Sequence, residues 1–150
     1  MTPAGFWKGF KSNLLVKNIS DQGPYGGHRA MFWKSKKPNT FNSVNVIDFA
    51  RKNSWDFVDS FKFKPEQMKL WQKDNKLVFP FSYTNFSDTM TKFSTLECFP
   101  RWINSQITVL KFETDWEAIE PGNAKQTEEN GFAVTNKDGT EMSVYHLWGE

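Results

Sequence analysis

Cysteine is almost missing from this chain of 150 residues. The single copy, Cys98, has no partner for an intrachain disulfide, and a cysteine-based zinc site is excluded with it. It sits in Leu96-Glu97-Cys98-Phe99-Pro100, an apolar setting suited to an inert buried thiol. Histidine is nearly as scarce. Only His28 and His146 are present, and neither lies near Cys98 in sequence to activate it as a nucleophile. No group of His, Asp and Glu shows metal-ligand spacing, so no metal and no cofactor are expected.

Long hydrophobic runs are lacking too. Nothing approaches the roughly 18 apolar residues that span a membrane as a helix. No signal-peptide core is present. Neither charge sign is in excess: 19 basic and 17 acidic residues are interspersed and leave a net charge of +2. Nucleic-acid binding rests on clustered phosphate contacts, so no nucleic acid is expected as a partner. The densest basic run, Lys34-Ser35-Lys36-Lys37, is short and reads as a solvated loop. Internal repeats and low-complexity tracts are absent.

What the chain has in surplus is aromatic residues, 15 Phe, 7 Trp and 3 Tyr. Rings of this kind dominate cores and interfaces, and some of the excess is expected on the surface or in a groove. With Leu and Ala scarce and Phe, Ser, Thr and Asn common, the composition favours sheet over helical bundle. The length suits one domain with a real core.

The clearest local signal runs from Val44 to Phe63. Asn42 or Ser43 can cap a helix; Val46, Ile47, Phe49 and Ala50 then share one face, with Asp48, Arg51 and Lys52 opposite. Asn53-Ser54 is a plausible stop, because Asn tolerates the left-handed conformation. From Trp55 the period becomes two, placing Trp55, Phe57, Asp59, Phe61 and Phe63 in one row of a half-buried strand. Pro65 ends it. Asp59 breaks an aromatic row. It reads either as a carboxyl with a raised pKa in an aromatic cleft, or as a structural Asp at a point where the strand frays or bulges.

Upstream, Leu14–Ile19 reads as a short strand. Residues 20–29 read as an irregular loop, with Gly23, Pro24, Gly26 and Gly27 bracketing Tyr25 and leading to His28 and Arg29. Such a loop can offer backbone N–H groups to an anion with Arg29 and His28 as partners, or simply turn into a strand over Arg29–Lys34. That strand, the helix and the Trp55 strand make a β-α-β unit, as neighbours or with another strand between. Residues 65–81 suit a hairpin around Lys73–Lys76, with a helix from Pro65 as the alternative. Residues 82–106 show no period. Within them Arg101 and Trp102 are a candidate pair for an anionic ligand.

Ile107–Trp116 is a second strong strand. Phe132–Asn136 and Thr140–Trp148 form a C-terminal hairpin around Lys137-Asp138-Gly139, with Gly139 suited to positive φ. Both rows of the return strand are largely apolar, which suggests a central strand covered on both sides. His146 stands in one of them and reads as a structural histidine or as a base. The fold class is therefore α+β: a single domain, mostly antiparallel sheet, with one main helix over about residues 43–53 and a C-terminal hairpin.

Met1–Gly5, followed by Phe6, Trp7 and Phe10, looks like a linker or a loosely packed segment over residues 1–12. It resembles the stretch that follows the lipidated cysteine of a bacterial lipoprotein. That resemblance implies an exported envelope protein with its signal removed; a cytoplasmic start at Met1 is the alternative. Three functional readings follow. The first is a binding domain whose aromatics meet a protein or envelope component, with Tyr25, His28, Arg29, Arg101 and Trp102 as candidate contacts. The second is a carrier of a small apolar ligand. The third is a small acid–base hydrolase using Asp59, His28 and His146, which requires two of these within hydrogen-bond reach.

Overall fold

The apolar period after Asn42 closes into helix α1 (Ser43–Lys52) in the computed structural model, which describes residues 4–23, 26–66, 72–73, 76–77, 105–115, 118–119, 126–127 and 129–149. Asn42 Oδ1 accepts from Asn45 N at 3.0 Å and satisfies an orphan donor of the first turn. Val46 and Ala50 are buried, and Ile47 and Phe49 pack half-buried against the same core. On the other side, Asp48 meets Arg51 and Lys52 at 2.6 and 3.0 Å. The stop differs in one detail from expectation. Asn53 keeps a negative φ of −113°, and Ser54 takes the left-handed conformation at φ 70°. Asn53 instead ties down the last turn by donating from Nδ2 to the Phe49 carbonyl at 2.9 Å.

Around the helix the described strands are β1 (Leu15–Gly23), β2 (Gly26–Lys34), β3 (Asp56–Phe63), β4 (Gln72–Lys73), β5 (Lys76–Leu77), β6 (Ile107–Glu113), β7 (Ala118–Ile119), β8 (Gln126–Thr127), β9 (Gly131–Asn136) and β10 (Glu141–Gly149). The main sheet has the order β1-β2-β10-β9-β6-β3, and every neighbouring pair along it is antiparallel. The molecule is thus α+β and mostly antiparallel sheet, with one α-helix among the described residues. β2 and β3 run in the same direction, so β2-α1-β3 is a crossover, but β10, β9 and β6 lie between its two strands. β4 and β5 pair Gln72 with Leu77 and Lys73 with Lys76, the hairpin reading of that region, while Pro65 and Glu66 are helical.

Two expectations are corrected here. The glycine-rich stretch is mostly ladder rather than irregular loop: Gly23 pairs with Gly26, Gln22 with Gly27, and Asp21 with His28. Glycines let the two strands of the hairpin approach closely, so these positions belong to the ladder. The opening segment is not a linker over residues 4–12. Ala4 and Trp7 are 3% and 0% exposed, and two 3-10 turns, Gly5–Gly9 and Ser12–Leu14, fold it onto the core. Trp7 meets the rings of Phe6, Phe10, Trp33, Phe49 and Trp55 at centroid distances of 5.2 to 6.2 Å. Trp33 Nε1 donates to the Phe10 carbonyl at 2.8 Å, so even the polar atom of that ring secures the N-terminal segment.

The core on this side of the sheet holds Met31 and Trp33 from β2, Met142 and Val144 from β10, Ala133 from β9, and Leu110 and Phe112 from β6. Alternate residues point the other way, and they are buried as well: Ala30, Tyr145, Phe132, Val134, Val109 and Ile107. β9 and β10 therefore behave as central strands covered on both rows. Their turn has the expected chemistry, with Gly139 at φ 68° and Asn136 Oδ1 accepting from Thr140 N and Glu141 N at 2.9 and 3.1 Å.

Candidate functional site

β10 carries Met142, Val144, His146 and Trp148 in one row, and at His146 the lining turns from apolar to polar. Register sets what surrounds it: His146 lies opposite Arg29 of β2 and Gly131 of β9, and Gly131 lies opposite Phe112 of β6. A Cβ at Gly131 would come within 2.6 Å of the Trp55 ring. The missing side chain is what lets Trp55 fold down over the sheet, 5.2 Å from the His146 ring and 5.7 Å from Phe112. Trp148 stacks against the histidine at 5.2 Å.

The polar partners come from the ends of β6 and β9. Thr114 Oγ1 donates to Asn130 Oδ1 at 2.6 Å and stands 3.4 Å from His146 Nε2. A hydroxyl has one hydrogen, and here Asn130 takes it. Thr114 Oγ1 is then placed to accept from Nε2–H of His146, and Nδ1 faces no partner among the described residues. Burial, with the Arg29 charge adding to it, pushes the imidazole pKa down to about 3. The ring is 0% exposed and lies between Trp55 and Trp148.

Arg29 is buried at 4% exposure and donates from Nη1 to Asn18 Oδ1 at 2.6 Å. Burial lowers its pKa, but the guanidinium stays charged. It is a component of the sheet interior and not an exposed anion contact. His28 lies in the register position opposite Leu147, on the alternate row to His146. Tyr25, Arg101, Trp102 and Cys98 lie outside the described residues.

Asp59 resolves in favour of a bulge. The ladder pairs Phe57 with Phe112 and then Asp59 with Lys111, so Val58 is an extra residue on β3. One inserted residue turns every later side chain to the other face. Phe57 stays on the helix side, 6.1 Å from Phe112, while Phe61 and Phe63 stack on each other at 6.3 Å on the opposite side. Asp59 is exposed, and its Oδ1 accepts from Ser60 N at 2.7 Å. β3 is three strands away from β10, roughly 14 Å at about 4.8 Å per strand. Asp59 and His146 are out of reach of each other, and the acid–base pair of the hydrolase reading does not form. Among the described residues no group of three or more His, Cys, Asp or Glu could hold a metal, and no helix is long and apolar enough to cross a membrane.

Compared with family models, curated proteins and solved structures, the chain matches none.

Two surfaces emerge that the sequence reading passed over. At the β3 end of the described sheet, Phe57 and Val58 are exposed by 42% and 40%, while Phe61 and Phe63 on the opposite face are half-buried. The signal was the same aromatic row that contained Asp59, but strict alternation hid the bulge that exposes it. Elsewhere a groove of about 600 Å³ opens between the Ser12–Leu14 turn and residues 34–40. Lys34, Lys36 and Lys37 are among its lining residues, and it lies open at the surface rather than enclosed.

Proposed function

We propose that the chain is a non-enzymatic binding domain that receives a protein partner along the outer edge of β3. The observation that carries this reading is the adjacent exposure of Phe57 and Val58 on the strand that ends the sheet among the described residues. An edge strand presents backbone N–H and C=O groups that can pair with an extended segment, and exposed apolar side chains there supply the gain in burial. Scattered surface apolar residues need no explanation, but two neighbours beside an open ladder are the arrangement a partner uses. Other large rings of the described core, Trp7, Trp33, Trp55 and Tyr145, are spent on internal packing and are unavailable to a partner.

Charge along the strand specifies the segment further. Asp56 and Asp59 occupy its first half and Lys62 its second. An antiparallel segment with acidic residues before basic ones would match both halves, and cross-strand ion pairs would set its direction. The lipoprotein-like opening residues make a bacterial-envelope protein one class of partner to screen; they contribute nothing to where it docks.

The test is a Phe57→Ser, Val58→Lys double variant. Both positions are exposed, so thermal stability should change by only about 0.5 kcal/mol or so. Partner affinity should fall by about 2 kcal/mol or more, as when the anchor of an interface is removed. A partner that binds the double variant as well as it binds the parent would move the interface away from β3.

A further inference from the structure

Between the Ser12–Leu14 turn and the loop that leads from β2 into α1 lies the groove of about 600 Å³, lined by Asn13, Leu14, Lys34, Ser35, Lys36, Lys37 and Thr40. Its volume lies in the range of small-molecule sites. We infer that this groove binds a phosphorylated small molecule, an ester or anhydride carrying two or more negative charges. The inference is independent of the β3 reading: the groove and the β3 edge share no residue, and the ligand chemistry is different.

Charge comes first. Three of the seven lining residues are lysines and none is acidic, while the wall itself is mostly apolar. Among the described residues, none of the three lysines forms a salt bridge. Glu141 lies opposite Lys34 in the ladder and is its countercharge. Lysine binds phosphate as a mobile point charge and tolerates many ester geometries, whereas a planar carboxylate is the preferred mate of arginine. Leu14, half-buried against the core, gives the groove an apolar patch for the organic part of the ligand.

Rigidity comes second, because a floppy lysine loop would lose in ordering what it gained in charge. This loop is held. Ser35 N donates to the Thr140 carbonyl at 2.8 Å, Asn39 N to Asp138 O at 2.8 Å, and Phe41 N to Gly139 O at 3.0 Å. The loop is therefore pinned to the β9–β10 turn along its length. Inside it, the Ser35 and Thr40 hydroxyls meet at 2.8 Å, Thr40 Oγ1 donates to the Lys37 carbonyl at 2.7 Å, and Lys37 N donates to Ser35 Oγ at 3.1 Å. The backbone between Lys36 and Lys37 is preset while both side chains remain exposed. Asn39, at φ 59°, makes the turn that brings the chain back toward α1.

Titrating the isotope-labelled full chain at low salt with inorganic pyrophosphate, and separately with adenosine triphosphate, tests this. The expected result is saturable shifts confined to amides of residues 13–14 and 34–40, with the nucleotide binding at least as tightly as pyrophosphate. A Lys36→Gln, Lys37→Gln variant should bind about tenfold more weakly or worse, while Lys8→Gln, at another exposed lysine, should bind as the parent does. Unsaturable shifts spread over lysines throughout the molecule would overturn the inference. So would unchanged affinity in the double variant, or binding to vesicles of anionic phospholipid with none to the free phosphates.

Discussion

His146 reaches Thr114 through Nε2 while Nδ1 faces no partner among the described residues, so protonating the ring inside the fold would add a second buried cation near Arg29. The sign of the pH dependence follows. The folded pKa is depressed to about 3, below the ordinary histidine value of 6.5, so protons bind the unfolded chain preferentially between those values. This residue's contribution is fully present above about pH 6.5 and should be lost as pH falls toward 3, at roughly 1.4 kcal/mol per unit. Urea midpoints at pH 7, 6, 5 and 4 measure it. A His146→Leu variant should flatten that part of the profile; an unchanged slope would place the acid sensitivity elsewhere. Trp7 is the second residue on which stability turns. Its ring meets five others, and Trp7→Ala should cost about 3–5 kcal/mol by chemical denaturation.

At the scale of elements, two small changes discriminate between local and long-range causes. Asn42→Ala removes the acceptor for Asn45 N and should destabilise α1, and with it the fold, by about 1 kcal/mol. Gly139→Ala should cost more, because φ is 68° there and a Cβ would come within 2.9 Å of the Asn39 backbone. That variant should also loosen the 35–41 loop, visible as faster amide exchange at Ser35, Asn39 and Phe41, whose partners lie across the same turn. Elements with a local cause were legible in the sequence. The α1 period, the Asn42 cap and the Gly139 turn each need only neighbouring residues. The bulge at Val58 was offered only as an alternative, since one inserted residue leaves the spacing of Phe57, Phe61 and Phe63 intact while dividing them between faces. The β1–β2 hairpin was obscured for another reason: Gly23, Gly26 and Gly27 suit an irregular loop and a tight ladder equally well.

Across the whole molecule, function depends on which surfaces remain after both sides of the sheet are buried. Candidate residues that depended on long-range register could not be placed from the sequence. His146 and Arg29 were each visible as polar residues, but their position opposite each other, together with the Thr114–Asn130 pair, arises only when β2, β10, β9 and β6 assemble. That assembly buries Arg29, a candidate contact, together with His146, read from the sequence as a structural histidine or a base. It leaves Phe57 and Val58 exposed on the strand that ends the described sheet, the edge proposed above for a partner.

The most direct test of this account is a photo-crosslinking scan in the source cells. A photoreactive residue would replace Val58, or in separate variants the comparably exposed Val16 on β1 and Val44 on α1. The account predicts one discrete adduct at position 58, with none at 16 or 44. On the purified adduct, slowed amide exchange over residues 56–63 should mark the added strand. Equal labelling at all three positions, or an adduct that leaves β3 exchange unchanged, would contradict an interface on this edge.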